Sequence, residues 1–379
     1  LNLRYTIGQR SVVHTGETSE VFFFPYNKGR AFLRGLRALF SKVGKVVSPG
    51  DSVAVKVHMG EYGGSTYLRP PLVRRVCDLV KEGGGKPFVT DTTTLYPLGR
   101  FTGSKYLTTA AYNGFTEESM AAPVVIADGE QGRDGEWANV PKQVFDCSLD
   151  RVKIAEKILN ADSMIVLSHV KGHALAGLGG SIKNVAMGCV VKESKAAQHR
   201  ANRPLIDISK CTGCGDCVEV CSFKALSLVD EKMVREDEKC MNCSHCLYTC
   251  AEDVYSLPPQ AKEKFQVSLA HAAAGVLSRF EGRVAFINFV QDVTRLCDCA
   301  TPSGSLVVPD IGILASTDVV AVDMASLDLI ARNKPLGRFA NIDSADILGK
   351  INGTDSLIHI RAARELGLGS MTYELKEQR

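Results

Sequence analysis

Two runs of Cys-x-x-Cys-x-x-Cys-x-x-x-Cys constrain this chain more than any other feature: Cys211, Cys214, Cys217, Cys221, and then Cys240, Cys243, Cys246, Cys250. Three thiolates at successive three-residue steps wrap around one cubane, and where two such runs occur together the fourth cysteine of each crosses to the other cluster. The pattern predicts two [4Fe–4S] centres, one on Cys211, Cys214, Cys217 and Cys250 and the other on Cys240, Cys243, Cys246 and Cys221. Zinc is the weaker reading, because zinc sites use two separated Cys pairs and a third cysteine three residues further on has no tetrahedral role. Small residues inside the loops, Gly213, Gly215, Asn242 and Ser244, let backbone N–H groups turn toward the sulfurs.

The remaining composition excludes more than it selects. With 379 residues the chain has room for a sizeable core and one small accessory domain. It is 45% hydrophobic and 23% charged with a net charge of +3, a balance that points to no nucleic-acid or membrane partner. No apolar run reaches the roughly 20 residues that a membrane helix needs. Residues 1–10 lack the charged start and apolar core of a signal peptide, so a cytoplasmic location is expected. In that setting thirteen cysteines imply metal chemistry rather than a disulfide framework.

Outside the cysteine runs, hydrophobic periodicity predicts an α/β fold. Residues 52–58 (SVAVKVH) alternate as a strand that places Lys56 and His58 on one face near its end. A helix over 71–81 and a second strand over 86–91, closed by Thr92, Thr93 and Thr94, complete a βαβ-like unit. Apolar runs at 123–128, 163–170, 283–292 and 306–314 extend the pattern, with Pro309 arguing for an edge strand or a bend. The expectation is a Rossmann-like, mostly parallel sheet flanked by helices, built from residues 1–200 and 258–379. Residues 201–257 would be inserted as an α+β dicluster ferredoxin-like domain whose cysteines stabilise what so small a core could not. Further helices are expected over 259–279 and 319–331.

Several expected strands finish in ionisable side chains, and open α/β sheets bind ligands outside the carboxyl ends of their strands. A rim of Lys56, His58, Asp91, Asp128, His169, Lys171, His173 and Asp292 is therefore the candidate active site. If the strand at 163–170 persists, His169, Lys171 and His173 share one face. Gly177, Gly179 and Gly180 then precede Ser181, Ile182, Lys183 and Asn184, and a Gly-rich turn opening a helix is a ready anion site. The plainer alternative is a flexible glycine loop with solvated histidines. Cys297 and Cys299, with Cys189, could hold a third metal or a cluster with one open position; the alternative is three reduced thiols along a buried edge. Cys77 and Cys147 read as isolated core thiols, Asp318 as a helix N-cap, and Asp323 as capping or solvated rather than facing the site.

Four stretches taken with the cysteine runs carry a family resemblance: SHVKGH at 168–173, GGSIKN at 179–184, DVTRLCDC at 292–299 and PDIGILASTDVVAVD at 309–323. Over about residues 50–335 the chain resembles the uncharacterised iron–sulfur-centre proteins grouped as domain of unknown function 362. That resemblance implies an α/β core carrying an optional bacterial-type ferredoxin module, distantly similar to the nucleotide-binding-like half of nickel-dependent lactate racemase. Ser222 and Ala251 depart from the ferredoxin pattern, which places Pro after the last cysteine of the run. The expected activity is an iron–sulfur oxidoreductase that exchanges electrons with a ferredoxin-like partner and passes them to an anionic substrate at the rim. Lys171, Lys183 and the 177–180 loop would bind the anion, Gly179, Gly180 and Asn184 would border it, and His169 or His173 would supply protons. No Gly-x-Gly-x-x-Gly follows a strand, which argues against direct hydride exchange with a nicotinamide. The alternatives are a non-catalytic electron carrier or assembly factor, and a protein that handles metal ions or clusters.

Overall fold

The architecture comes from a computed structural model that describes residues 18–26 and 32–378; the signal-peptide reading of residues 1–10 lies outside them. One sheet organises the chain. Its strands, in spatial order, are Tyr373–Glu377, Ser19–Pro25, Gly312–Ser316, Val284–Val290, Ser163–His169, Ser52–Val57, Lys86–Asp91 and Val124–Ile126. All neighbours pair parallel except Gly312–Ser316, which runs antiparallel to both of its partners. The strand expected over 306–314 is thereby displaced. Pro309 lacks an N–H, Leu306 makes only an isolated bridge to Thr294, and regular pairing begins at Gly312.

Alternation along the central strands fills two cores. Val53, Val55 and Val57 face a layer containing the helices Phe32–Val43 and Pro70–Glu82, while Ala54 faces the opposite layer. Ile165 and Leu167 divide from Met164 and Val166 in the same way. That second layer holds the helices Ser181–Gly188, Ala261–Leu277, Val319–Ala331 and Leu357–Glu365. Each fully buried Val, Leu or Ile contributes roughly 1.5–3 kcal/mol. The helix Ala261–Leu277 is buried along most of its length, so the apolar pattern expected over 259–279 is core.

The chain reverses its order at the centre of the sheet. From Ser52–Val57 it proceeds outward through Lys86–Asp91 to Val124–Ile126, and from Ser163–His169 it proceeds the other way to Val284–Val290. The loops leaving these two adjacent strands must diverge, and that opens a crevice at their carboxyl ends.

Residues 201–257 add nothing to the sheet. Leu205–Ile206 pairs with Tyr255–Ser256, Leu226–Val229 pairs with Lys232–Arg235, and the short helices Asp216–Glu219 and His245–Thr249 lie between them. Leu226, Met233, Val254 and Tyr255 form a small apolar cluster of their own with Cys217. Gly213, Gly215, Asn242 and Ser244, at matching positions of the two cysteine runs, all have φ between 57° and 89°.

The strand expected to carry His169, Lys171 and His173 on one face ends at His169. Lys171–His173 instead opens a hairpin with Gly177–Gly179. Gly172 donates its N–H to the Thr294 carbonyl, and a Cβ there would drive into the Arg295 carbonyl oxygen. At Gly179 the nearest atom to a Cβ is 3.7 Å away, an ordinary contact. Gly172→Ala is therefore expected to cost about 1–3 kcal/mol and to lower Tm, whereas Gly179→Ala leaves it unchanged; thermal unfolding of the two variants side by side checks this.

Candidate functional site

The crevice encloses a cavity of about 300 Å³ at the carboxyl ends of the central strands. Lys56 and His58 reach it from the end of one strand, Asp91 from the next, and Ser168 and His169 from the strand across the reversal. Gly179, Gly180, Lys183 and Asn184 form a wall from the hairpin and the helix that follows it. Most of the expected rim is thus assembled.

The loop carrying Cys297, Asp298 and Cys299 is held by the hairpin. Lys171 forms a salt bridge with Asp298 Oδ1 and donates to the Thr66 carbonyl at 2.8 Å and to Thr66 Oγ1 at 3.0 Å. His169 Nδ1 lies 3.1 Å from Asp298 Oδ2, and its Nε2 lies 2.7 Å from the Gln291 carbonyl. Burial alone would raise the Asp298 carboxyl, but His169 and Lys171 hold it well below the usual carboxylate range. Both sulfurs flanking Asp298 line the cavity.

Those sulfurs are unequal. Cys299 Sγ lies 3.3 Å from His58 Nε2, while His58 Nδ1 accepts the Gly60 N–H at 3.0 Å. With Nδ1 used as an acceptor, Nε2 carries the proton and donates to the sulfur. A hydrogen bond from Cys297 lowers the Cys299 thiol well below its ordinary value; burial opposes the shift, and His58, Arg100 and Lys183 reinforce it. The same hydrogen bond and burial push Cys297 well above its own. The His58 contact and these opposite shifts favour the thiolate at Cys299 and the protonated thiol at Cys297.

The cations of the cavity differ in what they are free to do. Lys56 pairs with Asp91 at 3.0 Å and donates to Asn184 Oδ1 at 2.6 Å, in space left by the missing Cβ of Gly188. Arg100 pairs with Glu61 at 3.0 Å. Lys195, pushed down to about 8 by burial against the opposing charge of Asp128, donates to Thr92 Oγ1 at 2.8 Å. Lys183 alone among these lysines has no hydrogen-bond or ion-pair partner among the described residues, and the Cys297 and Cys299 sulfurs raise it against the effect of burial. It is the cation left for a ligand.

One wall comes from the second cysteine run. Cys243, Ser244 and Tyr248 line the cavity, and Asn242 fastens this loop by accepting from Arg203 Nε at 2.8 Å and donating to the Ala196 carbonyl at 3.3 Å. Burial first, with the Cys221 and Cys240 sulfurs adding, pushes the Cys243 thiol up. Cys211, Cys214, Cys217 and Cys250 line a separate small cavity beneath Leu228 and Met233. The sulfurs also accept backbone N–H groups, Cys211 from Met233 at 3.4 Å and Cys221 from Ala225 at 3.3 Å. All thirteen cysteines are free. Among the described residues no group of three or more His, Cys, Asp or Glu is arranged to hold a metal ion; for a single ion, thiolate ligands must all lie about 2.3 Å from one point.

Comparison with known proteins places the chain. The sequence matches the family described as Domain of unknown function (DUF362) over residues 53–328. The chain belongs to the DUF362 family. The "Thylakoid-associated protein sll1697" of Synechocystis sp. is 29% identical over 172 residues, which cover 45% of this chain and 48% of that protein, so the match spans about half of each. A solved structure, the lactate racemase apoprotein from Thermoanaerobacterium thermosaccharolyticum, is similar over 83% of this chain and 58% of that chain. Its identity is 10% and its TM-score 0.37, a likeness too loose to carry an argument. No described helix is long and apolar enough to cross a membrane.

Several expectations need correction in this DUF362 protein. Lys171 does not line the cavity, since its three protons are taken by Asp298 and Thr66. His169 borders the cavity, but both its ring nitrogens face acceptors, and His173 Nδ1 accepts the Leu175 and Ala176 N–H groups. Burial, with Lys183 adding, lowers His173 well below its ordinary value, so it is not a ready acid at neutral pH, while the contacts of His169 leave it no ring nitrogen free for a substrate. The anion site expected at the helix after Gly180 is filled from within, because Asp323 accepts the Ser181 and Ile182 N–H groups at 2.7 and 2.9 Å. Asp323 is buried and Asp318 caps the next helix, as anticipated for capping roles. Cys189 packs in the apolar core with Sγ 3.9 Å from Met164 Sδ, which separates it from Cys297 and Cys299. Asp292 points to Arg69 at 2.6 Å, and Asp128 holds Thr93; neither lines the cavity.

Arg100, Lys195, His199 and Phe265 also line the cavity, outside the expected rim. Lys195 and His199 stand four residues apart, a spacing that places them on one helix face and could have signalled them. Arg100 lies in a loop with no pattern to read.

The unequal thiols give a measurable contrast. Iodoacetamide is expected to alkylate Cys299 at pH 6–7, where Cys77 and Cys189, both pushed up to about 12 by burial, stay unlabelled. His58→Ala should shift the Cys299 labelling profile to higher pH. Peptide mapping across a pH series under anaerobic conditions measures both, and equal labelling of Cys299 and Cys189 would contradict the assignment.

Proposed function

We propose that this protein is an iron–sulfur oxidoreductase that delivers electrons to a small anionic substrate bound beside Lys183. The observation that carries the reading is that Cys243, a member of the second cysteine run, lines the same cavity as Lys183 and Cys299. A pure electron carrier has no use for such a cavity.

The donor set fits the group that the spacing implies. Cys211, Cys214, Cys217 and Cys250 surround one small cavity, including the crossover cysteine expected from the other run, and Cys221 and Cys240 are the near sulfurs of Cys243. Left-handed backbone at Gly213, Gly215, Asn242 and Ser244 and N–H groups aimed at Cys211 and Cys221 suit thiolates carrying negative charge. Bound [4Fe–4S] clusters would supply one-electron transfer, which no side chain of the cavity provides.

The chain's own residues do the rest. Cys214 is exposed, which gives a ferredoxin-like partner access to the first set of cysteines, and the neighbouring sulfurs of Cys217 and Cys246 link the two sets. Lys183 supplies the unpaired cation for the substrate anion, while Lys56, Arg100 and Lys195 are balanced by Asp91, Glu61 and Asp128. Phe265, packed between His173 and His199, makes an apolar wall that excludes water.

Anaerobically purified protein is expected to contain about eight irons per chain and to give two reducible cluster signals in electron paramagnetic resonance. Zinc in their place, or cysteines oxidised in pairs within the two runs, would overturn the reading. Lys183→Ala should keep both signals and weaken binding of the anionic substrate by about tenfold or more.

A further inference from the structure

We propose that Cys299 and Cys297 are the attacking and resolving thiols of a dithiol–disulfide couple, which acts on a small disulfide whose anionic groups dock beside Lys183. The inference deepens the reading above and rests on it for the electrons that return the couple to its dithiol form.

Four observations meet at this pair. The two sulfurs stand two residues apart on one loop and line the cavity together. The residue between them, Asp298, is fastened by Lys171 and His169, so the loop holds both sulfurs toward the ligand space. His58 Nε2 donates to Cys299, which favours the thiolate, the form that attacks disulfides. Finally, the other cysteines outside the two runs are elsewhere: Cys77 and Cys189 are buried in core, and Cys147 packs beside Ser268. A nucleophilic thiolate with a protonated thiol beside it is the arrangement that thiol–disulfide exchange requires, since the second thiol releases the adduct formed on the first.

The chemistry balances. The Cys299 thiolate attacks one sulfur of the substrate, the substrate S–S bond breaks, and a mixed disulfide forms on Cys299 as the first half departs as thiolate. Cys297 gives its proton to that departing half and attacks Cys299 Sγ, which expels the second half as thiolate and closes a Cys297–Cys299 disulfide. Two electrons from a low-potential one-electron donor, arriving one at a time from the Cys243 wall, and one proton from water restore the thiol and thiolate. A second proton from water neutralises the remaining product thiolate. The sum is one disulfide, two electrons and two protons converted to two thiols.

The test uses the full chain, purified anaerobically. Diamide is expected to link Cys297 to Cys299, as read by peptide mapping, while Cys77 and Cys189 stay reduced and are alkylated once the protein is unfolded. With dithiodipropionate, a small dianionic disulfide, Cys297→Ser should accumulate a mercaptopropionate adduct on Cys299, the sulfur that His58 contacts. Wild type should not accumulate it, Cys299→Ser should form none, and Lys183→Ala should react about tenfold more slowly. Reduced methyl viologen should reopen the wild-type linkage. Absence of the linkage, an adduct on Cys297 in place of Cys299, or a linkage that stays closed beside reduced clusters would overturn the proposal. Iron analysis of the same sample separates the two claims: normal iron without thiol exchange defeats only this inference, whereas exchange without iron defeats the electron route and leaves the thiol couple standing.

Discussion

The salt bridge between Lys171 and Asp298 is the contact on which the site depends. It joins the hairpin that follows one central strand to the loop that follows its neighbour, and it does so with both side chains buried. A buried lysine or carboxylate alone would be strongly unfavourable, so each offsets the cost of burying the other, with Thr66 and His169 satisfying the remaining protons and lone pairs. Removing one partner would leave an uncompensated charge and free the segment that presents Cys297 and Cys299. Lys171 therefore acts on the cavity without touching it.

The same logic of paired burial runs through the cavity walls. Lys56 with Asp91, Arg100 with Glu61 and Lys195 with Asp128 are closed pairs, and Asp323 closes the helix end at Ser181. Because these groups are already satisfied, the unpaired charge of Lys183 and the thiolate of Cys299 stand out as the features with something left to bind or attack. A low effective dielectric strengthens both effects. The loop of the second cysteine run completes the enclosure, tied to the Lys192–Gln198 helix through Asn242, so residues 201–257 are at once a separate small core and part of the cavity wall.

Strand alternation makes much of the fold legible in the amino-acid order alone. Val53, Val55 and Val57 on one side of a strand and Lys56 at its end follow from a two-residue period, and the parallel sheet follows from βαβ spacing. The rim of Lys56, His58, Asp91 and Lys183 is readable for the same reason, since periodicity places strand ends and helix starts. The reversed direction of Gly312–Ser316 is not, because strand orientation is set by which edge is free for pairing and leaves no mark in local hydrophobicity. Nor can the sequence show that the helix end at Ser181 is filled by Asp323, a residue 142 positions away.

The sequence by itself determined the spacing of eight thiols, the α/β pattern and the family, because ligand spacing, periodicity and motif are local properties of the chain. Only the tertiary structure decided which charges are spent and which are free. It moved Lys171 from ligand to anchor, Cys189 into the core, Asp292 onto Arg69, and Cys243 into a wall of the cavity that the paired thiols also line. The physical reason is that a side chain's chemistry depends on its partners, and in this molecule the partners lie many tens of residues away along the chain.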